Sequence, residues 1–304
     1  MAEEIFDVVL QSTGSFVAEG KDWISSPPPQ SDFRLAADFW IGRLPHGTKS
    51  EIVFDACEPT GFNFHATRVY GCRYAFCRRI DPPNSKIYAW DNDGLMSRTL
   101  FLSRLIHPTT IASHYSARLI FEEGKLTTIV PGRIGGYGTY VWIVAREWRD
   151  WLSQMEVEQL RKQQLSYIHQ APERVRRARS HIDHAFHAFY LDQRTASLVS
   201  SFESLLKVER HQATAQFKLR VPILAQRVGL AITPDEAEIL YDDRSAFVHG
   251  GEPKYKDVSD DLMNRYNKFE TVLRCSLLRA STDTEFCNLF ETGAGVVGAF
   301  GSLK

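Results

Sequence analysis

A chain of 304 residues, 43% hydrophobic and 24% charged, has room for one large folded domain or two ordinary ones, which excludes wholesale disorder. Its net charge is −1, with 16 basic against 17 acidic residues up to position 150 and 20 against 20 after it. That balance excludes a protein that holds long nucleic acid by global charge, so any nucleic-acid site has to be local.

The opening MAEEIFDVVL is acidic where a secretory signal carries positive charge. No run of about 18 apolar residues follows anywhere, so the chain reads as cytoplasmic and without a membrane span. Up to about residue 146 short apolar or alternating runs predominate: EIVFDA (51–56), NFHATRVYGCRYAFC (63–77), KIYAW (86–90), ARLIFEEGKLTTIV (117–130) and TYVWIVA (139–145). Gly, Pro and Asn punctuate them, which is the pattern of strands and hairpins, with one helix expected at LMSRTLFLSRLI (95–106). GRIGGYG (132–138) lacks the Lys-Ser or Lys-Thr of a phosphate loop and reads as a hairpin turn. The five cysteines, Cys57, Cys72, Cys77, Cys275 and Cys287, are too sparse and too odd in number for a disulfide framework and are expected as free thiols.

From about 147 the pattern changes to long segments with apolar residues three and four apart: 147–170, 173–191, 193–210, 214–229, 233–250 and 260–281. Six such segments predict a helical bundle. The expected fold class is therefore α+β: a strand-rich domain over 1–146, an all-α bundle over 147–292, and a flexible tail over 293–304, where GAGVVGAFGSLK looks low in complexity.

Chemistry concentrates in ILYDDRSAFVHGG (239–251). Thr233 can cap the helix that carries it, Pro234 suits the first turn, Glu236 completes a capping box, and Gly250 with Gly251 supplies a left-handed stop. Ala237, Leu240, Tyr241, Phe247 and Val248 form one apolar stripe, and Arg244 falls in its middle. A guanidinium keeps its proton, and burying it unpaired costs several kcal/mol, so it needs a carboxylate, a phosphate or a wet subunit interface. Glu203 is the first carboxylate expected there, with Asp243 as another. His249 lies about 140° around and roughly 7.5 Å along the axis from Arg244, so within one ideal helix the two side chains do not stack. They can converge if the helix frays at the glycines, or across a two-fold axis if a second subunit places its copy opposite. An arginine that grips phosphate oxygens beside a histidine that takes a proton from a ribose 2′-hydroxyl suffices for metal-free RNA cleavage.

The spacing RSAFVH resembles the R-x4-6-H motif of HEPN domains. The ordered set SFESLLKVER, AQFKLRVPILA and EILYDDRSAFVHGG is similar to the Apea-like branch, over residues of about 150–285. The resemblance implies a HEPN-like bundle acting as a homodimer, and an endoribonuclease that leaves 2′,3′-cyclic phosphate and 5′-hydroxyl ends in a toxin or antiviral setting. It implies Arg244 on the scissile phosphate, His249 as base or acid, and Ser245, Glu203 and Asp243 in support. It equally admits a non-catalytic module that dimerises or binds nucleotide or protein. For the N-terminal domain it implies sensing or recruitment through a regulatory protein or ligand.

Two further clusters merit reading. Arg174, Arg176, Arg177 and Arg179 form the sharpest basic run, either a solvated helix face or a backbone grip on RNA. His181, His184 and His187 advance by three and drift around the helix without a completing carboxylate or cysteine cluster, so neither a metal nor a cofactor is expected.

Overall fold

A computed structural model describes residues 3–13, 32–57, 72–81, 94–108, 111–132, 152–188, 190–248 and 260–302. The protein is mixed α/β, with an N-terminal antiparallel sheet and a helical C-terminal part. It divides into two compact units, the first made of residues 1–103, 108–143 and 147–161 and the second of the remainder. The longest unbroken stretch of the second unit begins at Lys162.

The sheet has six strands in the order β2-β3-β4-β1-β5-β6: β1 (Glu3–Thr13), β2 (Phe33–Arg34), β3 (Phe39–Gly42), β4 (Cys72–Ile80), β5 (Ile111–Glu122) and β6 (Lys125–Pro131). Every pairing is antiparallel. β1 is central, and both of its faces are buried: Phe6, Val8 and Leu10 on one, Ile5, Asp7 and Val9 on the other. Burial on two sides explains why IFDVVL reads as a nearly continuous apolar run instead of an alternation. The first face forms a core with Trp40, Ala75, Cys77, Ala117, Leu119 and Phe121, covered by α1 (Ser50–Cys57). On the second face Arg118 stands directly opposite Asp7 and donates to both carboxylate oxygens, Nε to Oδ1 at 2.7 Å and Nη2 to Oδ2 at 2.9 Å.

β5 and β6 form the hairpin expected from ARLIFEEGKLTTIV. Its two-residue loop, Glu123 and Gly124, has φ of +53° and +75°. Positive φ at both positions matches the right-handed twist of the strands, and Gly124 adopts it without steric cost. EIVFDA, by contrast, is not a strand but the body of α1. Val53 and Cys57, four residues apart, are buried, while Ile52 is 48% exposed; the operative period is helical, which a six-residue apolar run does not reveal. The expected helix at 95–106 is present as α2 (Leu95–Ile106). KIYAW, TYVWIVA and nearly all of GRIGGYG lie outside the described residues.

All six expected helical segments contain helices: α3 (Gln154–Leu165), α4 (Glu173–His187), α5 (Leu191–Leu206), α6 (Ala213–Arg227), α7 (Pro234–Val248) and α8 (Asp260–Ala280). α4 and α5 form a tightly packed hairpin, and α7 packs on both α5 and α6. The chain then adds α9 (Thr284–Asn288) and α10 (Gly293–Phe300). The flexible tail expected over 293–304 is therefore corrected. Val296 and Phe300, four apart, are both fully buried, Phe300 stacks on Phe290 at 5.5 Å, and Thr292 caps the helix by accepting from the Gly295 amide at 3.0 Å. The glycines suggested a loose end, but two apolar side chains on one face suffice to dock the helix.

Candidate functional site

Local sequence places α7 firmly. Its start is the expected capping box: the Thr233 amide donates to Glu236 Oε2 at 2.8 Å and the Glu236 amide donates to Thr233 Oγ1 at 3.2 Å. Ala237, Leu240 and Tyr241 of the expected stripe are buried, whereas Phe247 is only half-buried and Val248 is 51% exposed. The stripe therefore opens toward its C-terminal end, where Arg244 lies. His249, Gly250 and Gly251 lie outside the described residues.

Glu203 of α5 stands at Arg244. Its Oε2 is 3.6 Å from Arg244 Nη2, and the two side chains are 23% and 24% exposed. At that distance the contact is an ion pair rather than a hydrogen bond, and it is open to water. Tyr241, one turn before Arg244, donates its hydroxyl to Glu203 Oε1 at 3.0 Å. The guanidinium carbon lies 5.9 Å from the centre of the Tyr241 ring. Burial, reinforced by the Glu203 charge, pushes the Tyr241 hydroxyl up to about 12, so it stays a donor at neutral pH.

Asp243 is elsewhere. It is buried and accepts from Arg265 Nη1 of α8 at 2.6 Å. The reason is helical phase, since Asp243 and Arg244 point about 100° apart and only one can face α5. Ser245 is half-buried beside Arg244. Arg220, the arginine of the AQFKLRVPILA segment, ties down the end of the helix that carries Glu203. Its Nη1 donates to the carbonyls of Leu206 (2.9 Å) and Lys207 (2.7 Å), satisfying the C-terminal end of the helix that carries Glu203.

The basic run of α4 is not one face. Arg179 is turned inward, donating to Tyr167 Oη at 3.0 Å and Ser281 Oγ at 2.9 Å with its guanidinium over the Tyr167 ring. Arg176 and Arg177 are exposed and both pair with Glu173. Arg176 also lines an open cavity of about 510 Å³ with His169, Cys287 and Glu291. Neither Glu203 nor Arg244 lines that cavity. At about 100° per residue, Arg174, Arg177, His181 and His184 share the remaining edge of α4.

His181 is half-buried there, while His184 and His187 are exposed. Burial pushes the His181 imidazole below its ordinary range, the neighbouring His184 and Arg177 push in the same direction, and Glu203 pulls it back up. Among the described residues no group of three His, Cys, Asp or Glu side chains is placed to hold a metal ion. No helix among them is long and apolar enough to cross a membrane. Cys57, Cys77, Cys275 and Cys287 are unpaired thiols. No protein-family model matches the chain, and comparison with curated proteins and with solved structures finds no match.

Proposed function

We propose that the helical unit is a metal-independent endoribonuclease of the HEPN type, working as a homodimer. The observation that carries this reading is the setting of Arg244. It sits at the open end of an otherwise apolar helix stripe, 24% exposed and, among the described residues, held by a loose ion pair to Glu203 and the face of Tyr241. A phosphate can replace or share that carboxylate, and a guanidinium grips it bidentately. In the proposed reaction the ribose 2′-oxygen attacks phosphorus and the bond from phosphorus to the 5′-oxygen breaks. The 2′-hydroxyl proton passes to a base and the 5′-oxygen gains one from an acid, leaving a 2′,3′-cyclic phosphate and a 5′-hydroxyl. Arg244 stabilises the charge that builds on the phosphorane oxygens. His249 supplies base or acid chemistry, and Ser245 and Glu203 hold the arginine's surroundings. DNA, without the 2′-hydroxyl, is spared. The toxin or antiviral setting, and a regulatory protein or ligand acting on the sheet unit, rest on the sequence resemblance alone.

A second reading draws on the same contact. Glu203 and Tyr241 together give Arg244 a charge partner and an aromatic face, which suits a non-catalytic module whose arginine orders a helix packing.

One assay separates the two. Purified full-length protein is incubated with mixed-sequence RNA in EDTA and the ends are identified. Cyclic-phosphate ends are expected, with Arg244→Ala slowing their formation about 100-fold or more, the scale of losing one transition-state donor. Arg244→Lys fails to rescue, because an ammonium offers no planar fork. Uncut RNA, or ends that persist in the Arg244→Ala/His249→Ala double variant, rejects the nuclease.

A further inference from the structure

We propose that Tyr241 is a positioning residue for phosphate at the Arg244 site: its hydroxyl holds Glu203 by one oxygen, so that the carboxylate neutralises the guanidinium without closing on it and an RNA phosphate can take its place. The proposal rests on the reading of Arg244 as a phosphate grip, and not on cleavage.

Both ends of the Tyr241–Glu203 bond are fixed on one side chain, Phe217 of α6, which is fully buried. The Tyr241 ring lies against Phe217 with centroids 5.1 Å apart, and Phe202, the residue before Glu203, meets Phe217 edge-on at 5.8 Å. The Tyr241 hydroxyl therefore has a set place on α7, from which it donates to Glu203 Oε1 at 3.0 Å. Burial, reinforced by the Glu203 charge, keeps that hydroxyl protonated at neutral pH. The bond occupies one carboxylate oxygen, and the other, Oε2, stops 3.6 Å from Arg244 Nη2.

The sheet unit shows the alternative. Asp7 accepts from both Nε and Nη2 of Arg118, at 2.7 and 2.9 Å, the closed fork that is the strong form of such a pair. Among the described residues nothing hydrogen-bonds the Arg244 guanidinium, and its Nε is buried without a partner. Its donors are unspent, while the Glu203 charge and the Tyr241 face offset its own charge. An entering phosphate meets a carboxylate already retained on another partner, so it displaces an ion pair and no hydrogen bond.

The test is binding of a fully 2′-O-methyl RNA oligonucleotide, which 2′-hydroxyl attack cannot cut, to the full chain in EDTA, followed by fluorescence anisotropy. Tyr241→Phe keeps the ring on Phe217 and loses only the hydroxyl. The freed carboxylate then closes on Arg244, and affinity is expected to fall about tenfold, the scale of one hydrogen bond to a charged group. Glu203→Gln removes the competing charge, and affinity is expected to rise. In the double variant Glu203→Gln rescues Tyr241→Phe, because the hydroxyl no longer has a carboxylate to hold; a ring that only packs would weaken binding equally in both backgrounds. That equal loss, or Tyr241→Phe binding as tightly as wild type, overturns the proposal. If Tyr241→Phe does not fold, judged by circular dichroism, Glu203→Gln alone decides: tighter binding supports the competition, and unchanged or weaker binding overturns it. Wild type that does not bind, or Arg244→Ala that binds as wild type does, overturns the phosphate grip and this proposal with it. The expected pattern in a chain that leaves natural RNA uncut overturns the nuclease and leaves the role of Tyr241 standing.

Discussion

Arg244 shows what one residue discloses in a sequence and what it conceals. Its place on the apolar stripe could be read from helix periodicity, and Glu203 could be chosen as its carboxylate from the neighbouring segment; the structure puts them 3.6 Å apart. Asp243 was open to the same reading and faces α8 instead, because side chains adjacent in sequence diverge on a helix. At the same scale, Asp7 and Arg118 are a buried ion pair in the middle of a sheet, 10% and 5% exposed. Asp7→Ala strands a guanidinium without its carboxylate and is expected to cost about 3–5 kcal/mol in urea unfolding. Replacing both with Asp7→Leu and Arg118→Met is expected to be close to neutral. A double variant as unstable as the single one would show that the pair contributes more than mutual neutralisation.

Elements were legible where their period ran long. α3 to α8 were all foreseen as helical segments, and the capping box of α7 was readable from Thr233 and Glu236. α1 and α10 were not, because six residues of EIVFDA cannot distinguish two periods and the glycines of α10 hide the buried pair Val296 and Phe300. The α7 cap carries a pH signature. The Lys268 ammonium, then the Thr233 amide, hold the Glu236 carboxyl below its ordinary 4.5. A folded-state value lower than the unfolded one means the contribution is fully present above about 4.5, and is lost as pH falls through the folded value. Asp283, held down by the Phe286 amide and then by Arg279, has the same sign. Thermal melting is therefore expected to be insensitive to these groups between pH 7 and 5 and to fall below that. Glu236→Gln should flatten the fall and lower the neutral-pH plateau slightly. A Glu236→Gln curve parallel to wild type at every pH would remove the cap from the account.

At the scale of the molecule, the change from short alternating runs to long helical periods matches a mixed α/β chain with its sheet first and its helical part after. What the pattern could not give was the order of strands, since it depends on contacts distant in sequence. On the proposed ribonuclease reading, a net charge of −1 leaves little long-range attraction for RNA, and binding should depend on a few local cations. Each phosphate neutralised on a single strand contributes about 0.7 to the slope of log affinity against log salt, so Arg174→Ala/Arg177→Ala should reduce that slope by about 1.4. An unchanged slope would place the RNA path away from the α4 edge.

The central position of β1 has a consequence in time. Its partners are far downstream: Ser12 pairs with Cys72 and Glu3 with Glu122. At roughly 5–20 residues per second, β1 leaves the ribosome several seconds before β5 has been translated. During that interval an apolar strand that will be covered on both faces and both edges has none of its neighbours, and closing such distant pairings is intrinsically slow. The strand at the centre of the finished sheet is thus a stretch of nascent chain in need of shelter while its neighbours are still being made.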